Sequence, residues 1–313
     1  HQPEIFKQRY NETQDTPSLI ESAVDNMEIN VLDYLIRDKR AVFDETLIDK
    51  AFGLPFVCNS YIIYLNTLGF HSDNQLILAI QTESISLIKA LLQQSKDDQA
   101  INQRGIDQLQ WTPLHIAANL GNKSIVSQLL LHPGIDPNIQ DTEGNTALMI
   151  AVSNNFDSVA SSLLSTKNYL VDANLVDNNG WSPLLVAVGN QNVKIVQLLL
   201  GYDKEDKKGK RVDVNIKSNT ENQEEQTPLS LAISLCNQQI FDLLIQRNDI
   251  DVNSVLANGD SPLTIAVKAK NIGFVKKILA TKKVDQKIVG VAIKIAEGLK
   301  YSQISKLLQN QSK

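Results

Sequence analysis

The residue types that most often carry chemistry are few and scattered in this chain of 313 residues. Its two cysteines, Cys58 and Cys236, lie far apart in sequence, so neither a disulfide framework nor a paired-cysteine metal site is expected. Cys58 lies in an apolar run and is predicted to be a small buried hydrophobe. Such sparse cysteine usage favours a reducing compartment, and we expect a cytoplasmic location.

Motifs of catalysis and of cofactor binding are not found either. The string Gly121-Asn-Lys-Ser124 has the end of a phosphate-binding loop but lacks the glycine that must precede it. His115 has no acidic or cysteine partner nearby in sequence to make it a ligand or a base. The sequence contains no HExxH, GxSxG or GxGxxG motif. We therefore predict no catalytic residue, no metal and no cofactor, and a function other than catalysis.

The elements that position the side chains are repeated along the chain. The pattern is Thr or Ser, then Pro or Ala, then Leu, with Ala three residues after the Leu. It begins at Thr112, Thr146, Ser182, Thr227 and Ser261. A hydroxyl before Pro is a good start for a helix, because it can cap the first turn and Pro needs no N–H there. Asp-x-Asn separates the units and begins at Asp136, Asp172, Asp213 and Asp251.

The alanine of each unit serves as an anchor that extends the register beyond these five copies. The nine anchors are Ala23, Ala51, Ala79, Ala117, Ala151, Ala187, Ala232, Ala266 and Ala292. An aliphatic residue stands three positions before each anchor and another stands twelve positions after it. This spacing predicts a short helix followed by a second, antiparallel helix, and neither can bury its apolar face without a neighbouring unit.

The Thr-Pro-Leu-His-Ile-Ala-Ala segment at 112–118 and its copies closely resemble the ankyrin repeat. The resemblance implies an all-α solenoid of about nine helix pairs, with short β-hairpin loops called fingers between the central repeats. We expect divergent helical repeats over 1–73, repeats with fingers over 74–280 and a short basic capping repeat over 281–313. Fingers are expected around 98–111, 135–145, 171–181, 213–226 and 251–260.

In this family the partner protein usually binds on the concave side, at the fingers and the inner helices. The variable positions of the family correspond here to Gln108, Leu109, Trp111, Asn119, Leu120, Thr142, Glu143, Asn145, Asn154, Asn178, Asn179, Trp181, Asn190, Glu224 and Gln226. Both tryptophans of the chain fall at the same position, before Thr or Ser, and tryptophan is enriched at interface hot spots. The two rings either form a ridge beside Asp141, Glu143 and Asp177 or simply cover the adjacent finger.

The same resemblance gives structural roles to two of the potentially reactive residues. His115 is expected to form hydrogen bonds between neighbouring repeats. Cys236 replaces the glycine usual in the turn between two helices, so it is predicted to be exposed.

Charge is distributed unevenly along the chain. Residues 266–313 hold eleven Lys and two acidic residues, a net charge of +9, which leaves −14 on the first 265 residues for a total of −5. The candidate basic patch comprises Lys268, Lys270, Lys276, Lys277, Lys282 and Lys283. A solvated cap that opposes end-to-end association is the favoured interpretation. Binding of an acidic protein, anionic lipid or nucleic acid through this patch is the alternative.

These observations predict a monomeric module that binds another protein, with no small-molecule substrate and neither nucleic acid nor membrane as its main partner. An alternative is the recognition arm of a longer enzyme, or a bacterial effector acting in the host cytosol. The chain opens at His1 without an initiator methionine, which suggests an excised or processed end.

Overall fold

The computed structural model describes residues 75–81, 83–94, 101–105, 108–202, 211–218 and 225–310. Within these ranges the chain forms fourteen helices arranged as seven consecutive pairs. The first helix of each pair is here called inner and the second outer. The pairs are α1 Gln75–Gln81 and α2 Ile85–Gln94, α3 Pro113–Asn119 and α4 Lys123–Leu129, α5 Ala147–Ser153 and α6 Asp157–Ser165, α7 Pro183–Gly189 and α8 Val193–Tyr202, α9 Pro228–Ser234 and α10 Gln238–Ile245, α11 Pro262–Lys268 and α12 Ile272–Ala280, and α13 Gln286–Gly298 and α14 Ser302–Gln309.

Local sequence starts both kinds of helix. Thr146 Oγ1 accepts a hydrogen bond from the N–H of Met149 at 3.3 Å, and the equivalent Thr or Ser precedes the other central inner helices. Outer helices are capped mostly by Asn, as where Asn237 Oδ1 accepts from the N–H of Ile240 at 3.1 Å. Each cap satisfies an N–H group that the first helical turn leaves without a partner.

The turn from inner to outer helix requires one residue with a positive φ in every pair. These residues are Glu83, Gly121, Asn155, Gln191, Cys236, Lys270 and Lys300. Six of the seven are not glycine, although an L-residue is strained in this region of backbone conformation. Cys236 has a φ of 53° and is exposed, so the turn position predicted for it from the sequence is confirmed.

The alanine anchors hold the stack together. All seven anchors within the described residues, from Ala79 to Ala292, have 0% exposure. Each inner helix packs on the inner helix of the next repeat, and each pair packs internally. A methyl group at the anchor permits this close approach, so the small side chain follows from the packing of three consecutive units. The anchors Ala23 and Ala51, the helix pairs predicted around them and Cys58 lie outside the described residues.

The fingers lie where the sequence predicts them, but their predicted β-hairpin form is not confirmed. Five turns are each closed by a backbone N–H···O bond, joining residues 105 to 111, 141 to 145, 177 to 181, 218 to 226 and 256 to 260. No strand is assigned within the ranges that the structure describes. The physical reason is visible in the second finger, where the Asp141 side chain, and not a second strand, accepts the N–H groups of Glu143 and Asn145.

A ladder of asparagines joins consecutive repeats at the Asp-x-Asn segments. Asn138 Nδ2 donates to the carbonyl of Leu170 at 2.9 Å, and its Oδ1 accepts from the N–H of Asp172 at 2.7 Å. Four more asparagines make the same two bonds, namely Asn102, Asn174, Asn215 and Asn253. Because an amide both donates and accepts, one side chain satisfies two backbone groups of the next repeat and fixes its position.

No helix in the described part of the chain has the length and apolar character needed to cross a membrane.

Candidate protein-binding surface

The first three fingers are hydrogen-bonded to one another into a continuous row. The hydroxyl of Thr142 donates to the carbonyl of Gln108 at 3.0 Å, and the Thr142 N–H donates to the carbonyl of Leu109 at 3.2 Å. One repeat further on, the N–H of Asn178 donates to the carbonyl of Glu143 at 2.9 Å. The Asn178 side chain adds a bond to the Thr142 carbonyl at 3.0 Å. Predicted partner-binding residues of three repeats are therefore in direct contact.

We call this set the finger row, and its members are Gln108, Leu109, Thr142, Glu143, Asn178 and Asn179. Gln108, Thr142, Glu143, Asn178 and Asn179 are exposed, and Leu109 is half-buried. Glu224, another predicted contact, lies outside the described residues.

Asp141 organises the second finger from a buried position. It is 7% exposed, and one of its oxygens accepts the N–H groups of Glu143 and Asn145 at 2.9 and 2.7 Å. The other oxygen accepts the indole N–H of Trp111 at 3.0 Å. Asp177 repeats the arrangement with the N–H groups of the third finger. Asp141, one of the three acidic residues expected beside a ridge of tryptophan rings, is therefore buried, and internal donors occupy its carboxylate.

Both tryptophans are half-buried at the edge of the finger row. Trp111 packs against the hydrophobic core and donates to Asp141 in the next repeat. Trp181 lies over Gly189 of α7, where an added Cβ would come within 3.2 Å of the ring. A side chain stands at the equivalent position of the other central inner helices, so the missing side chain at Gly189 makes room for this indole. Each ring thus has a structural contact and a solvent-facing part.

The C-terminal ends of the inner helices form a second row. Its predicted members Asn119, Leu120, Asn154 and Asn190 are all exposed. Asn154 Nδ2 donates to Asn119 Oδ1 at 3.0 Å. Asn190 Nδ2 donates to the carbonyl of Ser153 at 3.0 Å. These amides connect three successive repeats, so part of their hydrogen-bonding capacity serves the scaffold. We call these four residues the helix-end row.

The two remaining predicted contacts also form hydrogen bonds within the scaffold. Gln226 is half-buried, and its side-chain oxygen accepts from the hydroxyl of Ser230 at 3.1 Å. Asn145 is half-buried as well, and its backbone groups bond to Asp141 and His115.

His115 connects two repeats through its ring, as the resemblance implied. The Nδ1 atom lies 3.1 Å from the backbone N–H of Thr112, and Nε2 lies 3.0 Å from the carbonyl of Asn145 in the next finger. These partners fit a neutral ring that accepts at Nδ1 and donates at Nε2. Burial lowers the pKa of His115 below its ordinary value of 6.5. The neutral ring therefore links two repeats through hydrogen bonds at both nitrogen atoms.

Replacing His115 with Leu, the residue that α7 carries as Leu185 at the equivalent place, should lower the free energy of unfolding by about 1–3 kcal/mol near pH 8, because the Asn145 carbonyl loses its donor. The pH dependence should also change. The unfolded chain binds a proton at His115 at a higher pH than the folded chain does, so stability is full above about pH 6.5 and falls below it.

Denaturant unfolding of both proteins at about pH 8 and pH 5 measures this effect, since all other titrating groups are shared. The native chain should lose more stability on acidification than the Leu variant does. Equal losses in the two proteins would contradict the assignment.

The candidate basic patch divides into engaged and free lysines. Lys268 and Lys277 form ion pairs with Asp260 and Asp242 at 2.6 and 2.5 Å. Lys283 donates to the carbonyl of Asn248, and Lys270 lies over the ring of Tyr301 at 5.2 Å. Lys276 and Lys282 are exposed and have no such partner among the described residues. Four of the six lysines thus have partners within the described structure, and Lys276 and Lys282 do not.

No group of three or more His, Cys, Asp and Glu side chains within the described ranges is placed to hold a metal ion.

Comparison with known proteins agrees with the geometry. The family model for ankyrin repeats in three copies matches residues 54–141, 120–211 and 208–288. The chain belongs to the ankyrin repeat family. An ankyrin repeat protein of fowlpox virus is 28% identical over 255 residues, which are 81% of this chain and 66% of the viral protein. The NF-kappa-B p105 subunit of Gallus gallus is 30% identical over 199 residues, which are 63% of this chain and 19% of that protein.

Ankyrin repeat domains of known structure share the fold. An ankyrin repeat domain from Acinetobacter baumannii covers 68% of this chain with a TM-score of 0.57 and 23% identity. The ankyrin repeat domain of Bcl-3 covers 83% with a TM-score of 0.55 and 20% identity. Each solved domain is matched over nearly its whole length, 100% and 97% respectively, so the likeness concerns the repeat fold itself. The chain spans 66% of the viral relative and less than a fifth of the p105 subunit.

The sequence did not reveal which polar groups the ankyrin scaffold uses internally. The bonds from Thr142 to the first finger and from Asp141 to Trp111 join residues 30 or more positions apart. Asp141 does start the segment Asp-x-x-Gly, and Asp177 starts its copy, so this repeated motif is the signal that would have assigned them to the turn.

Proposed function

We propose that this ankyrin repeat chain binds a partner protein on the surface formed by the finger row and the helix-end row. Ankyrin repeats are generally protein–protein interaction modules, which supports binding as the class of function. The observation that carries the proposal is the direct hydrogen bonding between fingers of successive repeats, from Gln108 through Thr142 to Asn178. It places exposed side chains of three repeats in one register.

Rigidity gives such a surface its affinity. A protein interface loses free energy when loops and side chains become ordered on association. Here the first three fingers are joined by backbone hydrogen bonds, and the second and third are each held by an internal Asp, so little further ordering is required. The free energy of contact formation is then available for binding.

The chemistry of the surface indicates what the partner presents. The two rows carry amides, the aliphatic Leu109 and Leu120, and one carboxylate, Glu143, next to the open parts of the indoles. Amides hydrogen-bond to peptide groups or polar side chains, and aromatic rings with a nearby carboxylate suit apolar and basic side chains. We infer a partner that offers apolar and basic groups.

The test compares a variant that has arginines on the proposed surface with a control variant that has an arginine outside it. Leu120 belongs to the helix-end row and is 39% exposed, whereas Leu131 follows the outer helix α4 and is 66% exposed. A protein captured by the native chain is purified, and its affinity for each variant is measured by titration calorimetry. We expect Leu120→Arg combined with Asn179→Arg to weaken binding about tenfold or more, and Leu131→Arg to leave it unchanged.

A second pair of variants keeps the result interpretable. Trp111→Ala removes a bond to Asp141 as well as an exposed ring face, so circular dichroism must first show that it remains folded. Trp181→Phe keeps a smaller aromatic ring over Gly189.

Loss of binding in Leu131→Arg, with full binding in the Leu120 and Asn179 variant, would place the site on the outer helices and refute the proposal.

A longer protein that uses this chain as its recognition arm is the second candidate. A tyrosine-protein kinase of Hydra vulgaris is 32% identical over 117 residues, which are only 15% of its length. Similar repeats thus occur as a part of longer proteins, including one whose name is that of an enzyme. The full reading frame would test this candidate and the bacterial-effector alternative together.

A further inference from the structure

The last inner helix, α13, differs from every earlier one in how it is covered. In α5 six of seven residues are buried, because repeats pack on both sides. In α13 three of thirteen are buried, and they are Val289, Ala292 and Ala296. The side of α13 that faces away from α11 has no covering element within the described residues.

Basic and apolar side chains occupy this open side. Residues that recur every three or four positions lie on one face of a helix. Opposite the buried residues, that face carries Lys287, Val291, Lys294 and Gly298. Val291 is 48% exposed, and Leu299 at the end of the helix is 45% exposed, next to the exposed Lys300. We call Lys287, Val291, Lys294, Leu299 and Lys300 the C-terminal end surface.

The charge on this end has no internal counterpart. Six exposed lysines meet no carboxylate among the described residues, and they are Lys276, Lys282, Lys287, Lys294, Lys300 and Lys306. The two acidic residues of the region are engaged otherwise: Asp285 caps α13, and Glu297 accepts from Gln309. No acidic group of the described residues neutralises this positive charge, so it attracts anionic partners from outside the repeat.

Its shape suits a broad surface better than an inserted side chain. A Cβ added at Gly290 or at Gly298 would meet no atom of another element within 4 Å, so no neighbouring element covers either glycine. Residues 266–313 contain eleven Lys and no Arg. Arginine is favoured at protein interfaces and for nucleic acids because its planar group makes paired hydrogen bonds, whereas lysine is a hydrated point charge. Hydrated charges and exposed aliphatic groups together match the interface of an anionic bilayer.

We propose that the C-terminal end surface binds an anionic membrane surface, with its lysines at the lipid headgroups and Val291 and Leu299 in the headgroup region. This surface shares no residue with the finger row or the helix-end row, which leaves those rows for a partner protein. The exposure of Val291 and Leu299 among lysines without acidic partners favours this proposal over a solvated cap.

The test is sedimentation of the whole chain with vesicles of phosphatidylcholine that contain about 30% phosphatidylserine. Each lysine near such a surface contributes about fivefold to binding, so replacing Lys287, Lys294 and Lys300 with Glu should weaken binding on the order of 100-fold or more. Replacing Lys89, Lys123 and Lys167 with Glu changes the net charge equally, at exposed sites in the first half of the described chain, and should leave binding within about threefold.

Three further results decide between the candidates. Vesicles of phosphatidylcholine alone, or about 0.5 M NaCl, should abolish binding of the native chain. Val291→Ser with Leu299→Ser should weaken vesicle binding several-fold without changing its salt dependence. Equal losses in both lysine variants, no binding to the anionic vesicles, or binding to duplex DNA under the same salt without binding to vesicles would each overturn the proposal.

Discussion

Replacing Gly144 with Ala should lower the free energy of unfolding by about 3 kcal/mol or more, because the new methyl group meets the backbone of the next finger. The Cβ would lie 2.9 Å from both the N atom of Asn178 and the Cα of Asp177. Neither atom can move without breaking the finger row. Gly144 also has a φ of +82°, which adds about 1–2 kcal/mol of strain for an L-residue.

Gly259 offers a matched control in the last finger. Its φ is also +82°, but an added Cβ meets nothing within 4 Å, so Gly259→Ala should cost only the strain of about 1–2 kcal/mol. Chemical denaturation of the two variants gives the difference, which isolates the contact between fingers. Gly144→Ala should also weaken capture of the partner protein, while Gly259→Ala should not. Equal destabilisation by the two substitutions would show that the second and third fingers are not tightly packed.

Replacing Phe241 with Ala should cost about 3–5 kcal/mol, the typical range for a fully buried phenylalanine. Phe241 of α10 and Phe274 of α12 are both 0% exposed, and their ring centroids lie 4.4 Å apart. The pair connects the outer helices of two successive repeats. Phe241→Leu keeps most of the volume and should cost less than about 1.5 kcal/mol.

The region of the chain that Phe241→Ala destabilises is as informative as the size of the stability loss. In a repeat protein each unit contacts mainly its neighbours, so a weakened interface destabilises one part of the stack. Hydrogen exchange of Phe241→Ala should be faster in α9 to α14 and nearly native in α3 to α6. The finger row would then survive while the C-terminal end surface is lost. Uniform acceleration along the whole chain would instead indicate a single cooperative unit.

Much of the fold could be predicted because the determining signals are local. The start of each central inner helix depends on Thr or Ser before Pro or Ala within the same few residues, and the observed capping bonds agree. The period of the anchors is visible in the sequence, and every described anchor is fully buried. The β-hairpin form of the fingers was not confirmed, because a side chain such as Asp141 can close a turn in place of a second strand.

The sequence predicted which positions form the candidate site, but it did not predict which of their polar groups are already hydrogen-bonded. Sequence placed Thr142, Asn154 and Asn178 at variable positions of the family, where each would be free to contact a partner. In the structure each also bonds to the preceding repeat. Asp141, expected beside a ridge of tryptophan rings, is buried, and its carboxylate accepts a hydrogen bond from Trp111. These partners lie 30 to 36 positions away in the sequence, so no pattern within one repeat predicts the bonds.

The sequence by itself therefore determined the repeat unit, its helices and the order in which the units stack, because capping and apolar periodicity act within a few residues. Only the tertiary structure decided which polar groups are used between repeats and which remain for a partner. Those outcomes depend on how neighbouring repeats meet. A hydrogen bond such as that from Asn138 to Leu170 exists only once two repeats are packed in register.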